Sequence, residues 1–232
     1  MTNSNPTALV TGASSGIGLA IAHKLTQEGI TTALVSRQPP ALPPYGKPFP
    51  LDLGQVEQVK TKVEEIVQAL GRIDLLINCA GIAYIGSLAE MPLTDWQQLF
   101  DLNLTSVFQT IQAVLPTMRR QQTGTIINVA SIAAKQGFPS WGAYCASKFA
   151  LLGLTQALAG EEQAHGIRVM AICPGSVNTP LWDTLGDKVP PSFDRSAMLT
   201  PETVADTIWY MWQLPSSAVI TDLVLMPSAG VF

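Results

Sequence analysis

About seven short extended runs alternate along this 232-residue chain with segments whose apolar residues recur every three or four positions. Several of the runs are apolar almost throughout, as in Leu75, Leu76 and Ile77, or in Val169, Met170, Ala171 and Ile172. A strand with one wet face alternates apolar with polar residues, whereas a strand buried on both faces does not. The runs fall at 7–10, 31–36, 48–50, 73–78, 125–129, 168–172 and 223–226. Helical spacing marks 17–28 (Ile17, Ile21, Leu25), 55–70 (Val56, Val59, Val63, Ile66, Val67, Leu70), 94–118, 143–164 and 201–214. Gly29 and Gly71 are natural stops for the first two, and Pro116 is expected to bend or end the third. Strand–helix alternation of this kind predicts an α/β protein, doubly wound, with about seven parallel strands and helices on both faces. Without a composition break or an internal repeat, a single domain over 1–232 is expected.

Charge narrows the function. Thirteen Lys+Arg stand against 17 Asp+Glu, a net charge of −4, and only 13% of residues are charged. So few basic groups argue against nucleic-acid binding, and the ample apolar content argues against disorder. The first eight residues lack the basic start and apolar run of a secretion signal. No run is long enough to cross a membrane. The three cysteines, Cys79, Cys145 and Cys173, are odd in number and far apart, which fits neither a disulfide framework nor a zinc site. His23 and His165 are also far apart, so no metal is expected, and the cytoplasm is the expected location.

The turn at 11–18, Thr-Gly-Ala-Ser-Ser-Gly-Ile-Gly, follows a strand and opens a helix. Glycines permit a tight turn and close backbone approach, and a helix N-terminus offers N–H groups to a pyrophosphate. A dinucleotide-binding loop is therefore expected here, with Gly12, Ser14, Ser15, Gly16, Ile17 and Gly18 in contact with the cofactor. The end of the second strand discriminates between dinucleotides. An acid there bonds the ribose of NAD, and an Arg suits the 2′-phosphate of NADP. Here the strand ends Val35-Ser36-Arg37, with no acid from 33 to 46, so Ser36 and Arg37 predict NADP(H).

Tyr144 and Lys148 are four apart on one predicted helix face, and Ser131 lies just past a strand. Ligands of parallel sheets bind beyond the carboxyl ends of the strands, so Ser131 is at the correct end. Together with the glycine loop, Asp52, the run Asn78-Cys79-Ala80-Gly81, Asn103, Pro174-Gly175 and Thr179, these motifs make the chain resemble the short-chain dehydrogenase/reductase family over nearly its whole length.

The resemblance implies a Rossmann fold and a set of roles. Tyr144 would be the general acid–base, with a phenol pKa lowered by Lys148 and the oxidised nicotinamide. Lys148 would also hold the nicotinamide ribose, Ser131 would bond the substrate oxygen, and Asn103 would hold a water linking Lys148 to solvent. Asp52 and Leu53 would meet the adenine, Asn78, Ala80 and Gly81 the middle of the cofactor, and Pro174, Gly175, Val177 and Thr179 its nicotinamide end. The pocket would be walled by Tyr84, Ile85, Ile132, Phe138, Trp141 and a lid at 181–199 containing Trp182, Leu185, Phe193 and Met198, with Gly186, Pro190 and Pro191. Ser131, Phe138, Trp141, Tyr144 and Trp182 are the expected substrate contacts, and Lys188 and Arg195 are the cations within reach.

That lining predicts uncharged hydrophobic or aryl ketones and aldehydes as substrates of an NADPH-dependent carbonyl reductase. The alternatives are a 3-oxoacyl-thioester reductase and, more remotely, a non-catalytic dinucleotide sensor. The chain departs from the family at 38–50. Six prolines and one charge there predict a loop in place of the usual crossover helix. From 103 to 160 there are four charges and no acid. In the family the two helices of this span pack against a neighbouring subunit, so a homo-oligomer is expected, a tetramer ahead of a dimer.

Overall fold

The computed structural model describes residues 5–188 and 194–230; Pro190, Pro191 and Phe193 of the expected lid lie outside them. Seven strands form one sheet: β1 (Thr7–Thr11), β2 (Thr31–Ser36), β3 (Gly46–Pro50), β4 (Leu75–Asn78), β5 (Gly124–Val129), β6 (Ile167–Pro174) and β7 (Asp222–Leu225). Their order is β3-β2-β1-β4-β5-β6-β7, and every pairing is parallel. The helices are α1 (Gly16–Gln27), α2 (Val56–Leu70), α3 (Leu93–Phe100), α4 (Ser106–Gln121), α5 (Gly142–Glu162), α6 (Leu181–Leu185) and α7 (Pro201–Gln213). Among the described residues no helix is long and apolar enough to cross a membrane.

Successive strand residues point to opposite sides, and both sides are covered. Leu9, Val35, Leu76 and Ile126 pack with Val59 and Val63 of α2, Ile111 and Val114 of α4, and Leu151 and Leu158 of α5. Val10, Leu34, Ile77 and Ile127 pack with Ile21 and Leu25 of α1 and with Val204, Ile208 and Met211 of α7. Each such side chain contributes ~1.5–3 kcal/mol. This two-sided burial is why the central strands are largely apolar. Between α4 and α5, Arg119 is paired with the fully buried carboxylate of Glu162.

The chain runs from β1 outward to β3, then crosses back to lay β4 on the other side of β1. Such a reversal opens a crevice at the carboxyl ends of the two neighbours, and the expected site residues collect there.

Three local features bear on the expectations. Pro116 does not end its helix, since α4 continues to Gln121. The proline is exposed, as is Gln112 one turn earlier, so the carbonyl that loses its intrahelical donor faces water. The expected helix at 94–118 is present as α3 and α4, joined without a break by a π-turn, Asp101–Thr105, whose flanking residues keep right-handed helical backbone. In the proline-rich stretch no helix forms between β2 and β3, and the extended run expected at 48–50 is part of the strand β3. Pro48 and Pro50 are tolerated because β3 is at the sheet edge, with a partner only on the β2 side.

Candidate active site

The phosphate loop is shaped by backbone collisions that only glycine avoids. Gly12 has φ +71°, and its N–H donates to the Val35 carbonyl at 2.8 Å. A Cβ on Gly12 would lie 2.9 Å from the Ala80 backbone, and one on Gly18 would lie 2.2 Å from the Gly12 carbonyl oxygen. Thr11, at the end of β1, ties this loop to the one after β4. Its hydroxyl oxygen accepts from the N–H groups of Cys79 (3.0 Å) and Ala80 (3.2 Å). Ser14 and Ser15 are exposed at the start of α1, and Ser15, the N-cap, makes no side-chain capping bond.

The fit to a dinucleotide has a second support at β2. The Ser36 hydroxyl is buried with no hydrogen-bond partner among the described residues, and Arg37 beside it is exposed. An orphaned buried hydroxyl next to a guanidinium suits an anionic oxygen. Asp52 is exposed just past β3 and accepts from the Gly54 N–H at 3.0 Å, while Leu53 is buried. Asn78 is anchored at the end of β4. Its amide donates to Asn128 at 2.9 Å, and Asn128 donates in turn to Thr155 at 2.9 Å. The Asn78 amide nitrogen is thus tied into a polar chain inside the core, while its Oδ1 is buried with no hydrogen-bond partner among the described residues.

Asn103 stands in the π-turn, fully buried. Its Oδ1 accepts from the Ile82 N–H at 2.9 Å, and its Nδ2 donates to the Ile82 carbonyl (2.9 Å) and the Ser147 hydroxyl (3.1 Å). Both amide hydrogens are therefore engaged, and the side chain braces the loop around Gly81. A Cβ on Gly81 would lie 3.1 Å from Asn103 Oδ1 and 3.8 Å from Lys148 Nζ, so the brace sits directly beside Lys148.

Ser131 opens a short turn, its hydroxyl oxygen accepting from the Ala133 N–H at 3.1 Å, and it is hydrogen-bonded to the Tyr144 phenol. Lys148 Nζ donates to the Val129 carbonyl at 2.9 Å and lies 5.7 Å from the Tyr144 ring centroid. Burial dominates both groups. It pushes the Tyr144 phenol up to about 12, against the pull of the Ser131 bond, and the Lys148 ammonium down to about 8. In the chain alone, removal of the phenolate from water is the largest influence on Tyr144; the lowering expected from Lys148 and the oxidised nicotinamide belongs to the cofactor-bound site.

An apolar pocket opens onto Ser131 and Tyr144. Of the expected residues it gathers Ile17, Ser131, Ile132, Phe138, Trp141, Tyr144, Pro174, Gly175, Val177, Thr179, Trp182 and Leu185. Trp141 packs edge-on against both Tyr144 (5.7 Å) and Trp182 (5.9 Å), and Trp182 Nε1 donates to the Val177 carbonyl at 2.8 Å. Tyr84, Ile85 and Met198 are not among the pocket's lining residues. The two expected cations also turn elsewhere. Lys188 Nζ sits 4.8 Å over the Tyr84 ring, and Arg195 bonds Asn178, Thr179 and Asp183. Sequence reasoning missed Thr11 and Ser147 as supports, although both lie inside the motifs it used.

Comparison with known proteins agrees with this geometry. Residues 6–190 match the short chain dehydrogenase family. The 3-oxoacyl-[acyl-carrier-protein] reductase FabG of Thermotoga maritima is 34% identical over 235 positions, covering 93% of this chain and 94% of that protein. A metagenomic short-chain oxidoreductase in complex with NADP superposes with a TM-score of 0.82 at 28% identity, covering 97% of this chain and 98% of that one. The aldohexose dehydrogenase of Thermoplasma acidophilum, in ligand-free form, superposes with a TM-score of 0.86 at 27% identity, covering 96% and 93%. The glycine loop, the serine, tyrosine and lysine past β5, and these likenesses over nearly the whole chain make one conclusion: this protein belongs to the short-chain dehydrogenase family of oxidoreductases.

Proposed function

We propose that this oxidoreductase reduces uncharged, hydrophobic or aryl ketones and aldehydes with NADPH, reversibly. The observation that carries the reading is the pocket. Its walls beyond Ser131 and Tyr144 include Ile132, Phe138, Trp141, Trp182 and Leu185, and among the described residues no charged side chain lines it. An apolar carbonyl compound enters such a site without leaving a charge unpaired. The Ser131 hydroxyl orients the substrate oxygen, and the Tyr144 phenol, protonated at neutral pH, gives that oxygen its proton. The nicotinamide supplies the hydride. Lys148, held by the Val129 carbonyl, adds positive charge where negative charge develops.

A pH dependence follows from the direction of each shift. Reduction needs the phenol protonated and the ammonium charged. Burial keeps Tyr144 protonated far above neutrality but brings Lys148 down to about 8. Reduction is therefore expected to be level at lower pH and to fall as pH rises through about 8. A kcat profile that climbs through that range would contradict the role given to Lys148.

For the cofactor, Ser36 and Arg37 are the groups proposed to meet the 2′-phosphate. Arg37→Ala is expected to reduce the ratio of kcat/KM for NADPH over NADH about tenfold, the size of one charge-assisted contact. Equal efficiency of the unaltered protein with both cofactors would refute the NADP(H) preference.

A second reading, 3-oxoacyl-thioester reduction, is favoured by what the Thermotoga maritima relative does. Parallel kcat/KM measurements on an aryl ketone, a charged keto acid and an acetoacetyl thioester separate the two. The first reading expects the aryl ketone to lead, and turnover of charged substrates alone would contradict it. The assembly is proposed to be a homo-oligomer, a tetramer ahead of a dimer. Phe108 of α4 and Phe149 of α5 are exposed on the charge-poor span, and Tyr210 of α7 and Val224 of the edge strand β7 are exposed elsewhere, two apolar surfaces suited to two interfaces. A monomeric mass at micromolar concentration would overturn this. The cytoplasm is the proposed location, in keeping with three unpaired cysteines.

A further inference from the structure

Arg195 lies beyond the pocket and is not among its lining residues, yet its hydrogen bonds converge on the segment that walls it. Its Nε donates to Asn178 Oδ1 at 2.8 Å, one terminal nitrogen donates to the Thr179 carbonyl at 3.0 Å, and the other pairs with Asp183. These acceptors are on the stretch that leads into α6 and carries Val177, Thr179, Leu181 and Trp182 to the pocket. Thr179 is also in contact with the phosphate loop, since a Cβ on Gly16 would lie 3.1 Å from the Thr179 side chain. Thr179 is thus the point where the phosphate loop, the pocket wall and Arg195 meet. Two backbone bonds hold the same segment from the other side, Asn178 N–H to the Leu199 carbonyl (2.9 Å) and Leu199 N–H to the Ser176 carbonyl (3.0 Å). Arg195 itself is held at the start of a short turn whose capping Asp194 accepts from the Ser196 N–H at 2.8 Å.

We propose that Arg195 is a positioning residue whose guanidinium fork fixes the Thr179 segment against the phosphate loop, so that one side chain sets both the nicotinamide end of the cofactor site and the Trp182 wall of the substrate pocket. The inference rests on the reductase reading only for its catalytic consequences. Exposure decides which bond matters. The Arg195 and Asp183 side chains are 41% and 63% exposed, so their ion pair is weak in water. The bond to the partly buried Thr179 carbonyl has no such solvent substitute. A lysine keeps the charge but cannot present three donors in a fixed fork.

Three variants test this: Arg195→Ala, Arg195→Lys and Asp183→Asn. NADPH affinity is read from nucleotide fluorescence without turnover, and the enantiomeric excess of the alcohol is read from a prochiral aryl ketone. Arg195→Ala is expected to weaken NADPH about tenfold and to erode the enantiomeric excess, with Arg195→Lys in between. Asp183→Asn is expected to stay within about twofold of the unaltered protein. A merely structural role would lower the melting midpoint without changing the handedness of the product. Unchanged NADPH affinity and unchanged enantiomeric excess in Arg195→Ala would overturn the proposal, as would an Asp183→Asn variant as damaged as Arg195→Ala. Should the alanine variant fail to fold, Arg195→Lys decides: weakened NADPH binding supports the proposal and unaltered binding overturns it. Should the protein reduce no ketone, the reductase reading falls while the NADPH titration still decides the role of Arg195.

Discussion

Replacing Tyr144 with phenylalanine is expected to lower kcat for carbonyl reduction by about a thousandfold or more, the scale of a lost general acid, while NADPH still binds. The change removes one oxygen. The ring keeps its edge contact with Trp141, and Lys148 keeps its bond to the Val129 carbonyl. What disappears is the proton donor hydrogen-bonded to Ser131, so the hydride has no proton to accompany it. Kinetics and a fluorescence titration of NADPH, made on the same preparation, check both halves. Undiminished turnover would refute the acid–base role, and loss of NADPH binding would show that the effect was not chemical.

Gly18→Ala is expected to have the other large effect, acting on the backbone. Its new Cβ would lie 2.2 Å from the Gly12 carbonyl oxygen, and Gly12 is itself pressed against the Ala80 backbone. Nothing flexible is available to move aside, so the loop must open. A loss of NADPH affinity of about a hundredfold is expected, with destabilisation of ~2–4 kcal/mol. Gly160→Ala is the matching control. It lies near the end of α5, where an added Cβ meets nothing within 4 Å, and it is expected to stabilise the protein by ~0.5–1 kcal/mol. Isothermal NADPH titration and thermal melting of the two variants check this. Equal behaviour would mean that the close approach of the two glycines is unimportant.

The parts of this protein that were legible in its sequence are those governed by short spacing. Apolar runs such as Leu75 to Ile77 announce strands buried on both faces, because no polar residue fits there. Tyr144 and Lys148 announce a shared helix face, and the glycines of the phosphate loop announce a turn no other residue can make. What stayed hidden depends on distant partners. The Asn103 side chain is a brace only because Ile82 and Ser147 come to it from other elements. Asn78 is drawn into the core by Asn128 on the neighbouring strand. Pro116 is harmless only because its face of α4 is wet, and Arg195 faces away from the pocket because Asn178, Thr179 and Asp183 gather its donors. The depth of burial that raises the Tyr144 phenol is hidden for the same reason: neighbours can be read from spacing, but burial cannot.

The account turns on whether this site couples NADPH oxidation to the reduction of an apolar carbonyl. The direct measurement is a steady-state assay with an uncharged aryl ketone, following NADPH consumption and quantifying the alcohol formed. The account predicts one alcohol per NADPH consumed, with a clear preference for NADPH over NADH. No alcohol from any uncharged ketone or aldehyde, with turnover confined to charged or sugar substrates, would contradict it.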